Sequence, residues 1–267
     1  LYLKRLLVGG MSKVYEISRN FRNEGIDRYH NPEFTSMEVY EAFGNYQTML
    51  DMTENLIRSL ANMVHPSGVI EWNGHKINYQ EPFRRVSFAE RFEKVNGFSL
   101  TEIDQVRTRA QALNIAEDGL DDWLVINEVF ERTAETGLIQ PTFVLDYPSA
   151  LSPLTRPQRD DPDFCERWDL FIGETEIGTA YTELNDPDIQ EAKFRQQLKG
   201  ADEEENTFRS LDQDFLNALQ VGMPPAGGLG LGIDRLVAQL TGSHSIRDVI
   251  LFPLLRPVDG TSDRDAP

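Results

Sequence analysis

Residues 14–43, VYEISRNFRNEGIDRYHNPEFTSMEVYEAF, contain the side chains best suited to chemistry. Polar and apolar residues alternate there with a period of two, which predicts two strands joined by a charged loop. Because alternate side chains of a strand share a face, three sets are predicted to converge on one side of a sheet: Asn20, Arg22 and Glu24 on the first strand, Ser36, Glu38 and Tyr40 on the second, and His30, Asn31 and Phe34 in the loop. That side would carry a guanidinium, several carboxylates and a phenol. A hairpin with one solvated polar face is the alternative, because antiparallel sheets commonly expose one face to water.

A second chemical stretch covers residues 167–186. Gly173 and Glu174 separate WDLFI from TEIG, which predicts a hairpin with a two-residue turn. That turn would place Asp169 and Glu176 on the same sheet face, one diagonal step apart. Two carboxylates this close repel each other unless a cation lies between them, and oxygen ligands beside a triphosphate suit Mg²⁺. A solvated edge hairpin is the alternative, and three further residues alternate on one face of the second strand: Thr179, Tyr181 and Glu183.

A third stretch, residues 224–240, joins a glycine-rich strand to a helix. Four glycines remove side chains from the strand, so that a ligand can approach its backbone: Gly227, Gly228, Gly230 and Gly232. The amphipathic pattern that follows predicts a helix beginning near Asp234, with Arg235 in its first turn. Helix amides and an arginine so placed are suited to anionic phosphate oxygens.

These stretches resemble the class II lysyl-tRNA synthetases. FRNEG, RYHNPEFT and MEVY together resemble the family's motif 2, and the glycine-rich strand followed by Ile-Asp-Arg and an amphipathic helix resembles motif 3. The resemblance extends from LYLKRLLVGG to RDVILFPLLRP. It implies that residues 1–267 form a class II catalytic domain without motif 1 or the anticodon-binding barrel. The implied fold is α+β, an antiparallel sheet flanked by helices, with a helical insertion at about 82–138.

Composition is consistent with this class of protein. The chain has 267 residues and a formal net charge of 26 − 44 = −18, which argues against a general nucleic-acid binder but not against an enzyme that grips only the end of an RNA. No apolar run is long enough to span a membrane. The single cysteine, Cys165, excludes an intrachain disulfide and fits a reducing cytosol, so we expect a cytoplasmic protein. The chain opens inside an apparent element without Met or a cap, which predicts that an upstream part is missing.

The remaining pattern predicts the other elements. Helices are expected at 1–10, 45–64, 187–200 and 211–221, a hairpin at 69–79, a buried strand at 139–145 and a closing strand at 246–253. Residues 82–138 are predicted to be mostly helical, with a capping box from Ser87 to Glu90 and a stop at Asn96-Gly97. An acidic loop is expected at 201–206 and a disordered tail at 258–267.

The resemblance also implies a reaction and roles for residues. The carboxylate of an amino acid attacks the α-phosphorus of ATP and pyrophosphate leaves, a reaction that calls for fixed cations more than for a nucleophile or base. Arg22 resembles the arginine that meets the α-phosphate and the substrate carboxylate, and Arg235 resembles the motif 3 arginine on the far phosphate. The ATP-contacting loop is matched by Glu24, His30, Asn31 and Phe34, with Phe34 stacking on adenine. Asp169 and Glu176 match the carboxylates that hold Mg²⁺.

The implied amino-acid pocket suits lysine. It is matched by Glu38, Tyr40, Thr179, Tyr181, Glu183 and Gly230. A buried ammonium needs carboxylates and acceptors around it, which Glu183, Tyr40 and Glu38 would supply. The chain departs from the family at three places: Asp169 stands where the family has glutamate, Thr179 where it has an asparagine that touches the substrate carboxylate, and Ala226-Gly227 where it has Thr-Ala. These changes bear on lysine specificity and on the metal.

The function implied by the resemblance is formation of lysyl-adenylate and transfer of lysine to the 3′ end of lysine tRNA, by a protein that is a homodimer at full length. One alternative is a stand-alone paralogue that transfers lysine or a lysine isomer to a protein such as elongation factor P, as the missing upstream part and Thr179 suggest. The other is a non-catalytic regulatory domain that keeps ATP binding. Intact Arg22, Glu176 and Arg235 argue against it.

Overall fold

The computed structural model describes residues 1–117, 119–199 and 212–255. Its helices are α1 Tyr2–Val8, α2 Tyr46–Val64, α3 Phe88–Asn96, α4 Ile103–Ala112, α5 Asp122–Thr133, α6 Pro187–Lys199, α7 Gln213–Gly222 and α8 Ile233–Thr241. Its strands are β1 Lys13–Phe21, β2 Glu33–Ala42, β3 Val69–Trp72, β4 His75–Asn78, β5 Arg84–Ser87, β6 Thr142–Pro148, β7 Phe164–Ile172, β8 Thr175–Thr182 and β9 Ala226–Gly232. Within these residues no helix is long and apolar enough to cross a membrane.

Seven strands form one sheet in the order β1-β2-β9-β8-β7-β6-β5. Every neighbouring pair is antiparallel except β5 and β6, which are parallel. The α+β class is therefore confirmed, but the purely antiparallel sheet is corrected to a mixed one. Strand β5 also lies inside the segment predicted to be mostly helical, where α3, α4 and α5 follow it. The description of residues 82–138 as an insertion stays a prediction.

The two faces of the sheet are covered by different elements. On one face, α2, α8 and the β3–β4 hairpin enclose a core that includes Trp168, Leu170 and Leu229. On the other face, α3, α4 and α5 pack against β6 and β7 around Phe88 and Phe130. These helices cover only the β5–β7 end of that face. At the other end of this face, α1 and α7 pack against β1, β2 and β9 around Leu7 and Phe215. The candidate site lies on the uncovered part of β1, β2, β9 and β8.

Local signals explain where several elements begin and end. Asn45 caps α2 by accepting hydrogen bonds from the N–H groups of Gln47 and Thr48. The capping box predicted from Ser87 to Glu90 opens α3, and Gly97 ends it with a φ of +83°. The apolar residues of α2 are buried at Met49 and Ile57 but not at its C-terminal end, where Met63 is 80% exposed.

Both predicted tight hairpins are confirmed. The turns at Asn73-Gly74 and Gly173-Glu174 have positive φ at both central residues, as a type I′ turn requires. The second turn pairs Phe171 with Glu176, as a two-residue turn at Gly173-Glu174 requires. A bulge between Leu170 and Phe171 then shifts the register, so that Asp169 faces Thr179.

The end of the chain differs from expectation. The closing strand predicted at 246–253 is wrong: the chain forms a 3₁₀ turn at Ile246–Asp248 and no strand follows in residues 249–255. The N–H of Ile246 donates to the carbonyl oxygen of Arg28, and this hydrogen bond ties the 3₁₀ turn to the motif 2-like loop. The acidic loop at 201–206 and the tail at 258–267 lie outside the described residues.

Candidate active site

A pocket of about 330 Å³ opens on the free part of the sheet. It is formed by the end of β1, the loop to β2, and residues of β2, β8, β9 and α8. Ten of the predicted site residues line it: Arg22, Glu24, His30, Asn31, Phe34, Glu38, Glu176, Thr179, Gly230 and Arg235. Four others do not: Tyr40, Asp169, Tyr181 and Glu183. The sheet therefore brings most of the predicted set to one place from segments far apart in the chain.

Strand register explains this convergence. Two rows of directly paired residues cross four strands. The first row is Glu38, Gly230, Thr179 and Asp169. The second is Tyr40, Gly228, Tyr181 and Arg167. Paired residues in a sheet point to the same face, so a polar set lies on either side of the glycines of β9.

Two glycines of β9 serve this face in different ways. A Cβ at Gly228 would collide with Oε1 of Glu183 and come within 2.8 Å of Cε1 of Tyr40. A Cβ at Gly230 would meet only Cγ2 of Thr179, at 3.9 Å. Gly228 is therefore required by the protein's own side chains, whereas Gly230 leaves open space in the pocket.

Arg235 is fixed by three contacts at the start of α8. Its Nη1 donates to the carbonyl oxygen of Glu176 at 2.8 Å, its Nε lies 3.4 Å from the carbonyl oxygen of Tyr29, and its Nη2 lies 3.1 Å from Nε2 of His30. A guanidinium can only donate, so Nε2 accepts and His30 carries its proton on Nδ1, 2.8 Å from Oδ2 of Asp27. Burial raises the pKa of Asp27, but hydrogen bonds from Tyr29 and His30 outweigh this and leave that pKa below its ordinary value.

Arg22 is freer than Arg235. It follows the end of β1 together with Glu24, so the prediction that both belong to the strand is corrected: they lie in the loop. The Cζ atom of Arg22 is 5.1 Å from the ring centroid of Phe34, and its Nη1 is 3.5 Å from the carboxylate of Glu24. With 68% of its side chain exposed, the guanidinium of Arg22 can turn toward an anion in the pocket. Next to it, Nδ2 of Asn20 donates to Oγ of Ser36, which joins the two strands at the pocket floor.

Asn31 anchors the loop. Its Nδ2 donates to the carbonyl oxygen of Leu254 at 3.2 Å and its Oδ1 accepts from the N–H of Glu33 at 3.2 Å. The side chain lines the pocket but is buried and already bonded at both ends. Its geometry suits holding the loop more than contacting ATP.

The two predicted metal ligands have different surroundings. Asp169 is buried, and its carboxylate accepts from Arg167 at 3.0 and 2.7 Å and from Oγ1 of Thr179 at 2.5 Å. Glu176 instead faces the pocket. Close surrounding by protein and the charge of Asp169 raise the pKa of Glu176, and Arg235 and Arg167 lower it. Mg²⁺ usually takes one or two carboxylates together with substrate phosphates. Glu176 fits that role, whereas Asp169 is already neutralised by Arg167.

Comparison with known proteins shows which family the chain is similar to. The family described as tRNA synthetases class II (D, K and N) matches residues 1–256. The chain belongs to this family. It is 45% identical over 265 residues to the lysine–tRNA ligase of Clostridium tetani, covering 96% of this chain and 53% of that protein. It is 47% identical over 263 residues to the lysine–tRNA ligase of Carboxydothermus hydrogenoformans, covering 97% of this chain and 54% of that protein.

A third relative, the lysine–tRNA ligase of Clostridium acetobutylicum, is 46% identical over 275 residues, covering 99% of this chain and 52% of that protein. This class II synthetase chain thus spans about half the length of the curated relatives it matches.

The predicted ammonium-binding residues of the synthetase domain form a buried cluster beside the pocket. Glu183 is fully buried, and its Oε2 accepts a short hydrogen bond from Nζ of Lys4. Burial raises the pKa of Glu183 and Lys4 lowers it. The hydroxyl of Tyr40 lies 3.4 Å from Oε2 of Glu38, and burial followed by the charges of Glu183 and Glu38 raises the pKa of Tyr40. Burial likewise raises the pKa of Tyr181 to about 12.

Several residues of the site were not predicted. Tyr29, Asp234 and Ile246 line the pocket, and Oδ2 of Asp234 accepts from the N–H of Thr35 at 2.6 Å, which ties α8 to β2. Asp234 stands next to Arg235 in the Ile-Asp-Arg sequence, and that position could have indicated it. Lys4 carried no such signal, because a lysine on a short amphipathic helix is normally exposed.

Proposed function

We propose that this chain is the catalytic domain of a lysine–tRNA ligase, which forms lysyl-adenylate from lysine and ATP and transfers lysine to the 3′ end of lysine tRNA. The observation that carries the proposal is one pocket whose lining includes two arginines together with aromatic rings and carboxylates, in a chain with a net charge of −18. Among these residues are Arg22, Arg235, Phe34, Glu38 and Glu176. Two arginines gathered in one pocket of an acidic protein are where a polyphosphate would bind.

Lysine activation needs no general base in this pocket. The carboxylate of lysine is already ionised, and one of its oxygens bonds to the α-phosphorus while the bond to the bridging oxygen of pyrophosphate breaks. Negative charge on the phosphate oxygens must be stabilised as this happens. Arg22 can turn toward the α-phosphate and the lysine carboxylate. Arg235 is held by Glu176, Tyr29 and His30, so it meets the far phosphate in a preset orientation.

Mg²⁺ would supply further neutralisation of the triphosphate. Glu176 is the side chain that would hold it, because its carboxylate faces the pocket. The proposed role of Asp169 is to keep Arg167 and Thr179 in place on the same sheet face. Phe34 offers the aromatic surface for adenine.

The proposed lysine specificity rests on the negative charge beyond the pocket. Glu38 lines the pocket and contacts Tyr40, behind which lies Glu183. A cationic side chain gains from these groups, whereas an acidic or amide side chain would be repelled or poorly matched. The proposal includes a homodimer for the full-length protein, a cytoplasmic location, and contact of this chain with the acceptor end of tRNA.

A second candidate function is favoured by Thr179. Its hydroxyl bonds to Asp169, so the side chain presents a methyl group near Gly230 instead of a polar group. A changed contact at this point fits a paralogue that activates lysine or a lysine isomer and transfers it to a protein such as elongation factor P. The two candidates share the adenylate step and differ in the acceptor.

The test is ATP–pyrophosphate exchange with lysine, a lysine isomer, ornithine or no amino acid. We expect exchange with lysine, reduced about 10²- to 10³-fold in Arg22→Ala and Arg235→Ala, the range typical for loss of one group that stabilises developing charge. Arg84→Ala is the matched control, because Arg84 is exposed on β5 and does not line the pocket. Preference for the isomer would favour the paralogue. Absence of exchange from a folded full-length protein that binds ATP would contradict both and favour a binding domain.

A further inference from the structure

A buried ion pair joins α1 to the strand behind the amino-acid pocket. Nζ of Lys4 donates to Oε2 of Glu183, and only 5% and 2% of the two side chains are exposed. A lysine ammonium from the protein itself therefore contacts the carboxylate that a bound lysine is expected to use. Neither the fold nor the adenylate chemistry described above requires this contact.

Lys4 is held in place from several sides. Its Nζ lies 5.9 Å from the ring centroid of Tyr40 and 6.0 Å from that of Phe215, distances at which a cation and an aromatic face attract each other. The next residue, Arg5, bonds to Asp212 at the start of α7 at 3.0 Å. Leu7 packs in the same small core as Phe215. Because α1 is fixed at these points, the ammonium of Lys4 is held in the buried cluster beside Glu183 and Tyr40.

With a lysine bound, the charges of Glu38 and Glu183 are neutralised completely only if Lys4 is counted. Glu38 and Glu183 supply two negative charges on either side of Tyr40, and Lys4 supplies one positive charge. The ammonium of a bound lysine would bring the sum to zero. Without Lys4, the same bound lysine would leave one buried carboxylate unpaired, which is strongly unfavourable in a protein interior.

We propose that Lys4 is a positioning residue that sets lysine specificity: it neutralises Glu183 and holds its carboxylate in place, so that the ammonium of bound lysine is received by Glu38 and Tyr40. This inference rests on the proposed function. It differs from an autoinhibitory contact, in which Lys4 would compete with lysine and its removal would improve binding.

The proposal has a pH signature. The charged and titratable side chains that face Glu183 are Lys4 from α1, and Glu38 and Tyr40 from β2. Burial raises the pKa of Glu183 and Lys4 opposes that rise. Once Lys4 is replaced by a neutral residue, Glu183 takes up a proton more readily. Lysine binding should then improve as pH increases and Glu183 ionises.

The experiment measures ATP–pyrophosphate exchange for Lys4→Met, Lys4→Arg and the matched control Lys13→Met, in the full-length protein between pH 6.5 and 8.5. Lys13 also pairs with a glutamate, Glu41, but is exposed and outside the pocket. We expect Lys4→Met to raise KM for lysine about tenfold at pH 7, leave KM for ATP unchanged, and show a lysine KM that falls with pH. Lys4→Arg should remain close to the unsubstituted protein. An unchanged or lower lysine KM in Lys4→Met would overturn the proposal.

A second measurement does not depend on activity. An acid whose pKa is higher in the folded state loses stability as pH rises toward that pKa. The difference in unfolding free energy between the unsubstituted protein and Lys4→Met should therefore grow from pH 6 to 9, and it should lose this pH dependence in a Glu183→Gln background. A difference that is constant with pH would overturn the role of Lys4.

If Lys4→Met does not fold, lysine affinity in Glu183→Gln and Lys4→Met/Glu183→Gln decides the question. The single variant leaves Lys4 to repel the ligand, so the double variant should bind lysine more tightly, and equal or weaker binding would contradict the proposal. Failure of the proposed function is separate, because it would remove lysine-dependent exchange from the unsubstituted protein as well.

Discussion

Arg167 holds the carboxylate of Asp169 with two parallel hydrogen bonds, 3.0 Å from Nε to Oδ1 and 2.7 Å from Nη2 to Oδ2. The guanidinium also lies 4.3 Å from the ring centroid of Tyr147. Bidentate pairs of this kind are strong and geometrically specific. The second carboxylate expected at the metal is thus already paired within the protein, which leaves Glu176 as the acidic side chain free to face a ligand in this part of the described pocket.

We predict that Glu176 and Asp169 differ in their effect on Mg²⁺. Glu176→Gln should raise the Mg²⁺ concentration needed for half-maximal ATP–pyrophosphate exchange about tenfold or more, because it removes a carboxylate ligand. Asp169→Asn should change that concentration little but lower the free energy of unfolding by roughly 3 kcal/mol, because it leaves the buried charge of Arg167 without its partner. Mg²⁺ titrations and urea denaturation measure the two effects.

Glu71→Gln serves as the control for this pair, since Glu71 is exposed on β3 and outside the pocket. It should change neither quantity. Equal shifts in Mg²⁺ dependence for Glu176→Gln and Asp169→Asn would contradict the assignment and restore a metal held by both carboxylates.

Substitutions at two glycines of β9 should distinguish an effect on lysine binding from an effect on stability. Gly230→Ala should leave the free energy of unfolding within about 1 kcal/mol, because the nearest atom to the new Cβ is 3.9 Å away, yet it should raise KM for lysine by filling the pocket. Gly227→Ala should lower the free energy of unfolding by about 1–3 kcal/mol, because its Cβ would lie 2.8 Å from the carbonyl oxygen of Asn45. Thermal denaturation and exchange kinetics on both variants test the contrast. Full activity in Gly230→Ala would show that no ligand approaches that strand.

Glu135 should give the protein a pH-dependent stability. Burial, followed by the charges of Glu131, Glu176 and Asp169, raises the pKa of Glu135 to about 8 from an ordinary value of 4.5. Its folded-state pKa is the higher one, so stability is lost as pH rises from about 4.5 to 8. Glu135→Gln should therefore stabilise the protein by roughly 1–3 kcal/mol at pH 8 and by little at pH 5.

Unfolding by urea at several pH values, without Mg²⁺, tests this expectation. Glu128→Gln on α5, the helix that precedes Glu135, is the comparison variant. A stabilising effect of Glu135→Gln that is equal at pH 5 and pH 8 would contradict the pH argument.

Parts of the fold that depend on local signals could be predicted from the sequence. Asn73-Gly74 and Gly173-Glu174 specify their own turns, and the turn then sets the register of the strands on either side. Strand β5 was missed because its four residues, RRVS, show no alternation and are stabilised by parallel pairing with β6 far along the chain. Long-range pairing of this kind has no local signature.

In the candidate site too, residues with a local sequence signal could be predicted, whereas those placed by long-range contacts could not. The alternation in β2 and β8 correctly placed Glu38 and Thr179 on one face, where pairing with β9 brings them together. Arg167 could have been linked to Asp169, because residues two apart on a strand share a face. Lys4 could not have been found this way. An amphipathic helix normally exposes a lysine, and only the distant Glu183 explains its burial.

Thr179 provides the last prediction, because it departs from the family's asparagine. Its Oγ1 donates to Oδ1 of Asp169 at 2.5 Å, and its Cγ2 is the atom closest to the open space at Gly230. The hydroxyl therefore bonds within the protein, and the methyl group faces the open space at Gly230. Thr179→Val should leave KM for lysine within about twofold and lower the free energy of unfolding by about 1 kcal/mol, the usual net value of one hydrogen bond.

Thr179→Asn should instead lower KM for lysine several-fold, because an amide can donate to the substrate carboxylate. Exchange kinetics with lysine and a lysine isomer measure both variants, and Thr108→Val reports the effect of losing a hydroxyl on the exposed side of α4. A large rise in lysine KM for Thr179→Val would mean that the hydroxyl itself contacts the substrate. A gain for the isomer but not for lysine in Thr179→Asn would instead favour the paralogue, since the residue at this position would then select between the two amino acids.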